Sequence, residues 1–528
     1  MATGSSLRVL GIEGTAWAAS AAVHDSSGTR IFTEAYQPDS GGLHPREAAE
    51  HMREHVPRVV RQAREYAAET GGVDAVAFSR GPGLGPCLRI AGTAARATSI
   101  ALDAPLVGVN HMLAHLEAGR QSAGFETPVC LNASGANAHL LGYRGGRYRV
   151  LGETMDTGVG NAIDKFARHV GWSHPGGPKV EERAREGSLV DLPYVVKGMD
   201  FSFAGLTTAA SEAYDDGVPV EDVCFSLQEH AFGMLTEVAE RALSLTANDE
   251  LVLGGGVGQN ERLQAMLREM CEERGARFHA PEPRFLRDNA GMIAMLGARM
   301  AAAGDTIPVD ESAVRPDWRP DQVPVAWEDG SVARSPGEGP QRGAEAVVAP
   351  AGDGTDLEKH RLPKGYRHAD LDERLRRERT RAEARLLYEA RGLGVPTPVV
   401  RDVDDREATL RLERVGEADL RDALSAGRVR AVARYLAALH DDGTVHGDPT
   451  VRNARVGEGV TLIDFGLGYS TWSVEDFAMD LHVFEQSLVG TADEPAPLLE
   501  AFEAAYREAG DGAVLDRLRE IEGRGRYQ

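Results

Sequence analysis

His111 and His115 stand four residues apart in Asn110-His111-Met112-Leu113-Ala114-His115. On a helix that spacing puts both imidazoles on one face, one turn apart, where two ring nitrogens can hold a single metal ion. Leu113 and Leu116 would anchor such a helix from its other side. Asp288, followed by Asn289 in the stretch Phe285–Gly291, could add a carboxylate to the ligand set. The competing reading is two half-buried histidines on an ordinary amphipathic helix. Spacing alone does not separate the two.

A second constellation lies toward the C-terminus. His446-Gly447-Asp448-Pro449-Thr450-Val451-Arg452-Asn453 is followed by an apolar strand pattern, Val460–Ile463, and then by Asp464-Phe465-Gly466. In protein kinases one Asp accepts the hydroxyl proton, an Asn five residues on holds one Mg²⁺, and the Asp of D-F-G holds the other. Asp448, Asn453 and Asp464 keep that order and spacing. Upstream, Gly343-Ala344-Glu345-Ala346 reads as a reduced glycine loop over a nucleotide, and Lys359 as the phosphate-binding lysine. Glu383, on a charged helix, is placed to pair with Lys359, and Glu413 marks the hinge. A solvated lysine and a surface ion pair are the alternatives for the first two. Residues 343–528 are few for a protein kinase, and neither A-P-E nor a long activation loop follows Asp464.

Both sets of residues need a scaffold. Leu7–Ile12 and Ala16–Val23 read as a strand hairpin, Arg46–Thr70 as a helix, and Asp74–Ser79 as a buried strand. A glycine-rich loop, Ser79–Pro86, leads into the helix Leu88–Ala101. A second cycle starts with the strand Pro128–Ala133, a turn at Ser134–Asn137 and the strand His139–Tyr143. A long helix over 221–247, the strand Leu251–Leu253, the loop Gly254–Asn260 and the helix Glu261–Arg274 follow. Two cycles of hairpin, glycine turn and helix predict a duplicated α/β architecture with a ligand in the cleft between halves. Residues 328–342 are rich in Gly, Ser and Pro without apolar periodicity, so they read as a linker between residues 1–327 and 343–528.

Composition narrows the class. At 528 residues the chain exceeds one core. Asp plus Glu outnumber Lys plus Arg by 81 to 58, a net charge of −23, and lysine occurs only at 165, 179, 197, 359 and 364. An acidic, lysine-poor surface suits a halophilic source, since it keeps a protein soluble in concentrated salt. A GC-rich genome that favours Arg, Ala and Gly codons gives the same bias. The net charge disfavours nucleic-acid binding on average, although a local arginine cluster overrides an average. Four scattered cysteines without C-x-x-C, no signal peptide and no membrane-length apolar run predict a cytoplasmic protein without membrane contact.

Gly11–Thr15, His44–Glu47, Asn110–His115, Ser134–Asn137, Asp156–Lys165, Phe201–Leu206, Gly254–Asn260 and Asp288-Asn289 together resemble one family across residues 7–325. It is the universal tRNA threonylcarbamoyladenosine transferase, once described as a glycoprotease. The resemblance implies the duplicated fold of actin, hexokinase and Hsp70. It also implies one iron or zinc ion held by His111, His115 and Asp288. A tyrosine that can add a fourth ligand in the family is Asn132 here, and a glycine of the same motif is Ala136. Contacts to the donor, threonylcarbamoyl-AMP, fall on Asn132, Ala133, Ser134, Gly135, Ala136, Asp164, Gly177, Glu181 and Asn260. For the last four, the bland readings are helix-surface carboxylates, a turn glycine and a helix N-cap.

The C-terminal stretch resembles the small atypical kinase and ATPase of the KEOPS complex, an α+β protein-kinase-like fold. Gly343–Ala346, Lys359–Arg367, His446–Asn453 and Ile463–Leu467 carry that likeness. Pro449 replaces a leucine, and the polar stretch 351–356 stands where a strand is expected. Archaeal transferases of this family are sometimes fused to this kinase in this order. The resemblance therefore implies transfer of threonylcarbamoyl to N6 of the adenosine 3′ to the anticodon, in tRNAs reading codons that begin with adenine. A Mg-ATP-dependent kinase or ATPase would support turnover. It further implies partnership with the small dimerising and regulatory KEOPS subunits, and a separate synthase for the adenylate. Arg519, Arg524 and Arg526 resemble a basic tail that contacts tRNA, against a plain solvated tail. A protein kinase with a scaffolding N-terminal domain and a metalloprotease are the other classes. The missing activation loop argues against the first, and the missing H-E-x-x-H against the second.

Overall fold

The computed structural model describes residues 7–36, 44–135, 137–144, 146–327, 343–352, 354–492 and 494–524; the expected linker, 328–342, lies outside them. The chain forms two compact units, residues 1–195 with 201–335, and residues 336–526 with 196–200.

The first unit is mixed α/β and is built on two five-stranded sheets. In the first sheet, β1 (Val9–Glu13) pairs antiparallel with β2 (Ala18–Asp25), which pairs with β3 (Gly28–Ala35). On its other side β1 runs parallel to β4 (Ala75–Gly81), and β4 to β5 (Leu106–Asn110). The second sheet repeats this strand for strand. Central β6 (Val129–Ala133) pairs antiparallel with β7 (Ala138–Arg144), which pairs with β8 (Arg147–Glu153). After a short hairpin of β9 (Val196–Lys197) and β10 (Asp200–Phe201), β11 (Glu250–Gly254) lies parallel to β6, and β12 (Arg277–His279) parallel to β11. The duplication expected from the two sequence cycles is therefore present as topology.

The central strands are apolar on both faces because helices cover both sides. Every residue of β1, β4, β5, β6 and β11 is buried. Helices α1 (Pro45–Thr70) and α2 (Gly85–Leu102) flank the first sheet, and α3 (His111–Ala123) follows β5 without a loop. α4 (Val159–His169), α5 (Gly177–Ala184), α6 (Ala204–Asp215), the long α7 (Val220–Thr246) and α8 (Glu261–Arg274) belong to the second half. The short α9 (Pro283–Leu286) precedes α10 (Ala290–Ala302), which lies directly on β1. A Cβ at Gly11 would stand 2.5 Å from the Ala290 carbonyl oxygen, so only glycine admits that approach. No helix among the described residues is long and apolar enough to cross a membrane.

The second unit joins a four-stranded antiparallel sheet to a helical part. Strands β13 (Ala346–Ala351) and β14 (Asp356–Arg361), helix α11 (Ala369–Gly392), then β15 (Val400–Asp404) and β16 (Thr409–Glu413) give the order β13-β14-β16-β15. The polar stretch between Ala351 and Asp356 is a hairpin turn rather than a strand, with Gly352 and Gly354 at φ of +61° and +89°. Lys359 consequently falls in the middle of β14. β17 (Ala418–Asp419), α12 (Ala426–Asp441), β18 (Thr444–Val445), β19 (Ala454–Val456), β20 (Val460–Leu462) and β21 (Tyr469–Ser470) lead to α13 (Val474–Thr491), α14 (Ala496–Ala509) and α15 (Gly512–Arg524). Leu436, Phe465, Leu481, Phe484, Phe502 and Tyr506 belong to one buried core of this unit.

Candidate metal centre and nucleotide site

The metal-ligand candidates sit where strands give way to helices. Asn110 ends β5 and caps α3: its side-chain oxygen accepts the backbone N–H groups of Met112 (3.0 Å) and Leu113 (3.2 Å). His111 is thus the first residue of the helix and His115 the next on that face, while Leu113 and Leu116 are buried behind them. Asn289 caps α10 in the same way, accepting from Met292 N at 3.2 Å, and Asp288 immediately precedes it. Two helix N-termini therefore meet at the site, and their dipoles favour negative charge there.

The ligand atoms converge. Asp288 Oδ1 lies 3.4 Å from His111 Nε2 and 3.3 Å from His115 Nε2. One ligand atom from each residue falls within 4.8 Å of the others, a spacing that fits one metal ion with a nitrogen, nitrogen and oxygen donor set. Glu13, fully buried at the end of β1, puts Oε2 3.1 Å from His111 Nδ1. Its Oε1 accepts from Thr15 N and Oγ1, at 2.7 and 2.6 Å. A carboxylate on Nδ1 fixes the tautomer that leaves the Nε2 lone pair free for a metal. Burial disfavours a charged His111, but Glu13 and then Asp288 outweigh it and push its pKa up to about 10. Burial also disfavours a charged Asp288, yet His111 holds it below the usual carboxylate range. Glu13 was not evident from sequence; its signal is a lone acid closing an otherwise apolar strand.

Asn132, on β6, borders this centre. Its Nδ2 lies 3.4 Å from His139 Nε2, whereas its buried Oδ1 has no hydrogen-bond partner. A Cβ at Gly254 would stand 3.3 Å from His115 Cβ and 3.5 Å from that oxygen, so Asn132 and His115 flank the same glycine. Burial drives His139 down to about 3, with His115 adding to the shift, so its ring is neutral.

The donor-contact candidates form a linked set next to it. After Ala133 the chain turns, with Ser134 N and Oγ both donating to the Asn137 carbonyl at 2.9 and 2.7 Å. The carbonyls of Ser134 and Gly135 accept the N–H groups of Gly160 and Asn161 at the start of α4. A Cβ at Gly160 would lie 2.7 Å from Gly135 Cα, which explains glycine there. Ala136 lies outside the described residues. Asp164 Oδ1 accepts Gly176 N at 2.7 Å and Oδ2 is 3.1 Å from His174 Nδ1, tying α4 to the turn before Gly177. Glu181 Oε1 accepts Glu261 N at 2.8 Å. Asn260 caps α8, accepting from Arg262 N and Leu263 N, and donates to Gln228 Oε1 at 2.8 Å. Its structural role as a cap is plain, and the cap points a third helix N-terminus into this region.

In the second unit Lys359 Nζ reaches Glu383 Oε1 (2.8 Å), Glu383 Oε2 (3.0 Å) and Asp464 Oδ1 (2.7 Å). The lysine and Glu383 are buried, while 42% of the Asp464 side chain is exposed, leaving it open to a cation from solvent. Burial alone would lower the Lys359 pKa; Asp464 and Glu383 reverse the sign and raise it. Asp464 has a φ of +65°, a strained backbone for a non-glycine residue and a frequent mark of functional sites. Asn453 Nδ2 donates to Asp448 Oδ2 and to the Asp448 carbonyl, both at 2.8 Å. These side chains suit magnesium and a phosphate chain: oxygens for the cation, an ammonium for the phosphates.

Around them, Glu345 pairs with Arg379 at 2.8 Å, Lys364 donates to the Ala344 carbonyl, and Gly343 N donates to Ala346 O. The short 343–346 loop is thus pinned by its own contacts. Glu413 N donates to Val399 O at the end of β16. Asp480 was missed: from within α13 its buried carboxylate accepts His446 N (2.7 Å) and Gly447 N (2.9 Å), fixing the loop that carries Asp448. An aspartate in the apolar run Phe477–Leu481 is the signal that could have found it. Arg519 lies in helix α15 and pairs with Glu503, not in a free tail. The Arg524 side chain and Arg526 lie outside the described residues.

Comparison with known proteins shows a family for the chain. The profile of the tRNA N6-adenosine threonylcarbamoyltransferase family matches residues 28–295. A probable bifunctional tRNA threonylcarbamoyladenosine biosynthesis protein of Halobacterium salinarum is 67% identical over 530 residues, 99% of each chain. That of Methanospirillum hungatei is 50% identical, covering 98% of this chain and 99% of its own. Among solved structures, full-length HypF aligns at a TM-score of 0.41 and 12% identity over 56% of each chain. On the family profile and the end-to-end relatives, the chain belongs to the tRNA N6-adenosine threonylcarbamoyltransferase family, in the bifunctional form that serves tRNA threonylcarbamoyladenosine biosynthesis.

Proposed function

We propose that the first unit transfers the threonylcarbamoyl group from threonylcarbamoyl-AMP to N6 of the adenosine 3′ to the anticodon. Its two like sheets are read as a duplicated actin-, hexokinase- and Hsp70-like fold, and residues 1–327 as the transferase domain. In the reaction the N6–carbonyl bond forms as the bond from that carbonyl to the AMP phosphate breaks. AMP leaves with the bonding pair, and the attacking amine gives up one proton. The observation that carries the reading is the convergence of His111, His115 and Asp288 beside a set of capped helix N-termini. These three residues would hold iron or zinc, with the Asn132 oxygen available as a further donor. When bound, the ion supplies Lewis-acid polarisation and a fixed positive charge near the donor. Glu13 orients His111. The positive ends of the α4 and α8 helix dipoles would favour the negative charge of the adenylate phosphate. Asp164, Gly177 and Glu181 brace the walls of that region, and Asn260 caps α8.

The second unit, residues 343–528, is read as a small protein-kinase-like domain that binds Mg-ATP. Lys359 would meet the phosphates, Asn453 and Asp464 the magnesium, and Asp448 the hydroxyl or water that attacks. The short path from Asp464 to α13 favours a regulatory ATPase over a kinase of many substrates. The reaction calls for tRNA and a separate enzyme that makes the adenylate, and the family resemblance implies the dimerising and regulatory subunits of a KEOPS complex as partners.

Labelled threonine incorporated into tRNA, with the adenylate-forming enzyme, bicarbonate and ATP supplied, tests the assignment. Modified adenosine from wild type and none from His111→Ala is the expected result. No modification from wild type, with phosphate still transferred to protein, would overturn it.

A further inference from the structure

Lys359 is fully occupied in this structure. An ammonium has three donors, and its three contacts are the two oxygens of Glu383 and one of Asp464. To bind a nucleotide, Asp464 must turn to the cation and Lys359 must turn a donor to a phosphate. Glu383 is then the difficulty: its side chain is wholly buried, and a buried carboxylate that loses its counter-charge is strongly unfavourable.

Two residues along β14, on the same face of the strand, stands Arg361. It is among the largest fully buried side chains of the described residues, 1% exposed. Its Nη2 donates to Glu383 Oε2 at 2.5 Å and its Nη1 to Thr380 Oγ1 at 3.3 Å. One guanidinium thus fastens α11 to β14 beside the lysine. It also backs the turn that carries Asp464, because a Cβ at Gly466 would collide with Nη2.

We infer that Arg361 is a positioning residue for nucleotide binding: as the standing counter-charge of Glu383, it releases Lys359 to the phosphates. The inference rests on the reading of Lys359 and Asp464 as an ATP site. Without Arg361, Glu383 would have Lys359 as its one close cation and would compete with the nucleotide for it. A guanidinium suits the task because it keeps its charge when buried and spans two acceptors.

The test uses the full chain and titrates Mg²⁺ with a non-hydrolysable ATP analogue by calorimetry, beside phosphoryl transfer at saturating ATP. Arg361→Met is expected to weaken binding about tenfold, with a smaller loss of turnover once nucleotide is saturating. Arg361→Lys should restore most of the affinity. The decisive variant is the double, Arg361→Met with Glu383→Gln, which should bind no worse than Arg361→Met alone because a neutral amide no longer retains the lysine. Additive losses in the double, or wild-type affinity in a folded Arg361→Met, overturn the inference. Should Arg361→Met fail to fold, Gly466→Ala displaces the guanidinium without deleting it and must weaken binding in the same direction. Wild type that binds no analogue sinks the ATP reading itself, a result distinct from any of these.

Discussion

The two sites solve opposite problems. In the transferase unit, His111, His115 and Asp288 aim lone pairs at a common point, and the nearby Asn132 oxygen is buried without a partner. In the second unit, the charges of Lys359 and Arg361 are matched by those of Glu383 and Asp464, so the four side chains are neutral as a set before any ligand arrives. On the proposed reading, the first would gain contacts with its cation, and the second would break contacts to receive one. Ion binding would then add to the stability of the first unit, whereas nucleotide binding would rearrange the second.

The sharpest test of that contrast removes one ligand from each site. Asp288→Ala should abolish tRNA modification, a loss of ~10³-fold or more, and take bound metal from one ion per chain to none while leaving ATP hydrolysis intact. Asp464→Asn should cut ATP hydrolysis by ~10²–10³-fold and leave the metal content untouched, as read by elemental analysis. Crossed effects would break the comparison. Next in size, Glu13→Gln should weaken metal binding ~10–100-fold, measured by chelator competition, because the amide no longer enforces the His111 tautomer. Stripping the metal should lower the melting of the transferase unit by about 4 °C, the shift for an ion held at a hundred times its dissociation constant, with the other unit unmoved. The smallest effect belongs to Asn260→Ala, about 1 kcal/mol lost from the α8 cap by denaturant titration. A larger fall in donor affinity than in stability would show that Asn260 also touches substrate.

Sequence reached far where chemistry is written locally. The His111–His115 spacing and the order Asp448, Asn453, Asp464 are visible because each motif is short and its residue types are rare in such patterns. The alternation of strand and helix likewise exposed the duplication, although Gly256–Gln259 coils into a 3₁₀ turn inside what read as an open loop. The residues that escaped are those whose meaning depends on a distant neighbour. Glu13 and Arg361 lie inside matched stretches and Asp480 in an apolar run, yet nothing local gives any of them a role, and each acts across 22 or more residues of chain. The polar stretch after Ala351 is a turn, because two glycines at positive φ shorten the path between β13 and β14. Arg519 reads as part of a basic tail that contacts tRNA, or of a solvated one, since nothing in its own segment names Glu503 as its partner.

The distance along the chain between the metal ligands has a consequence for biosynthesis. His115 and Asp288 are separated by 173 residues, and between them run the whole second sheet and five longer helices. During vectorial synthesis the histidines leave the ribosome long before the aspartate does. A three-residue ligand set of His111, His115 and Asp288 would therefore be assembled only after nearly the whole first unit has been synthesised.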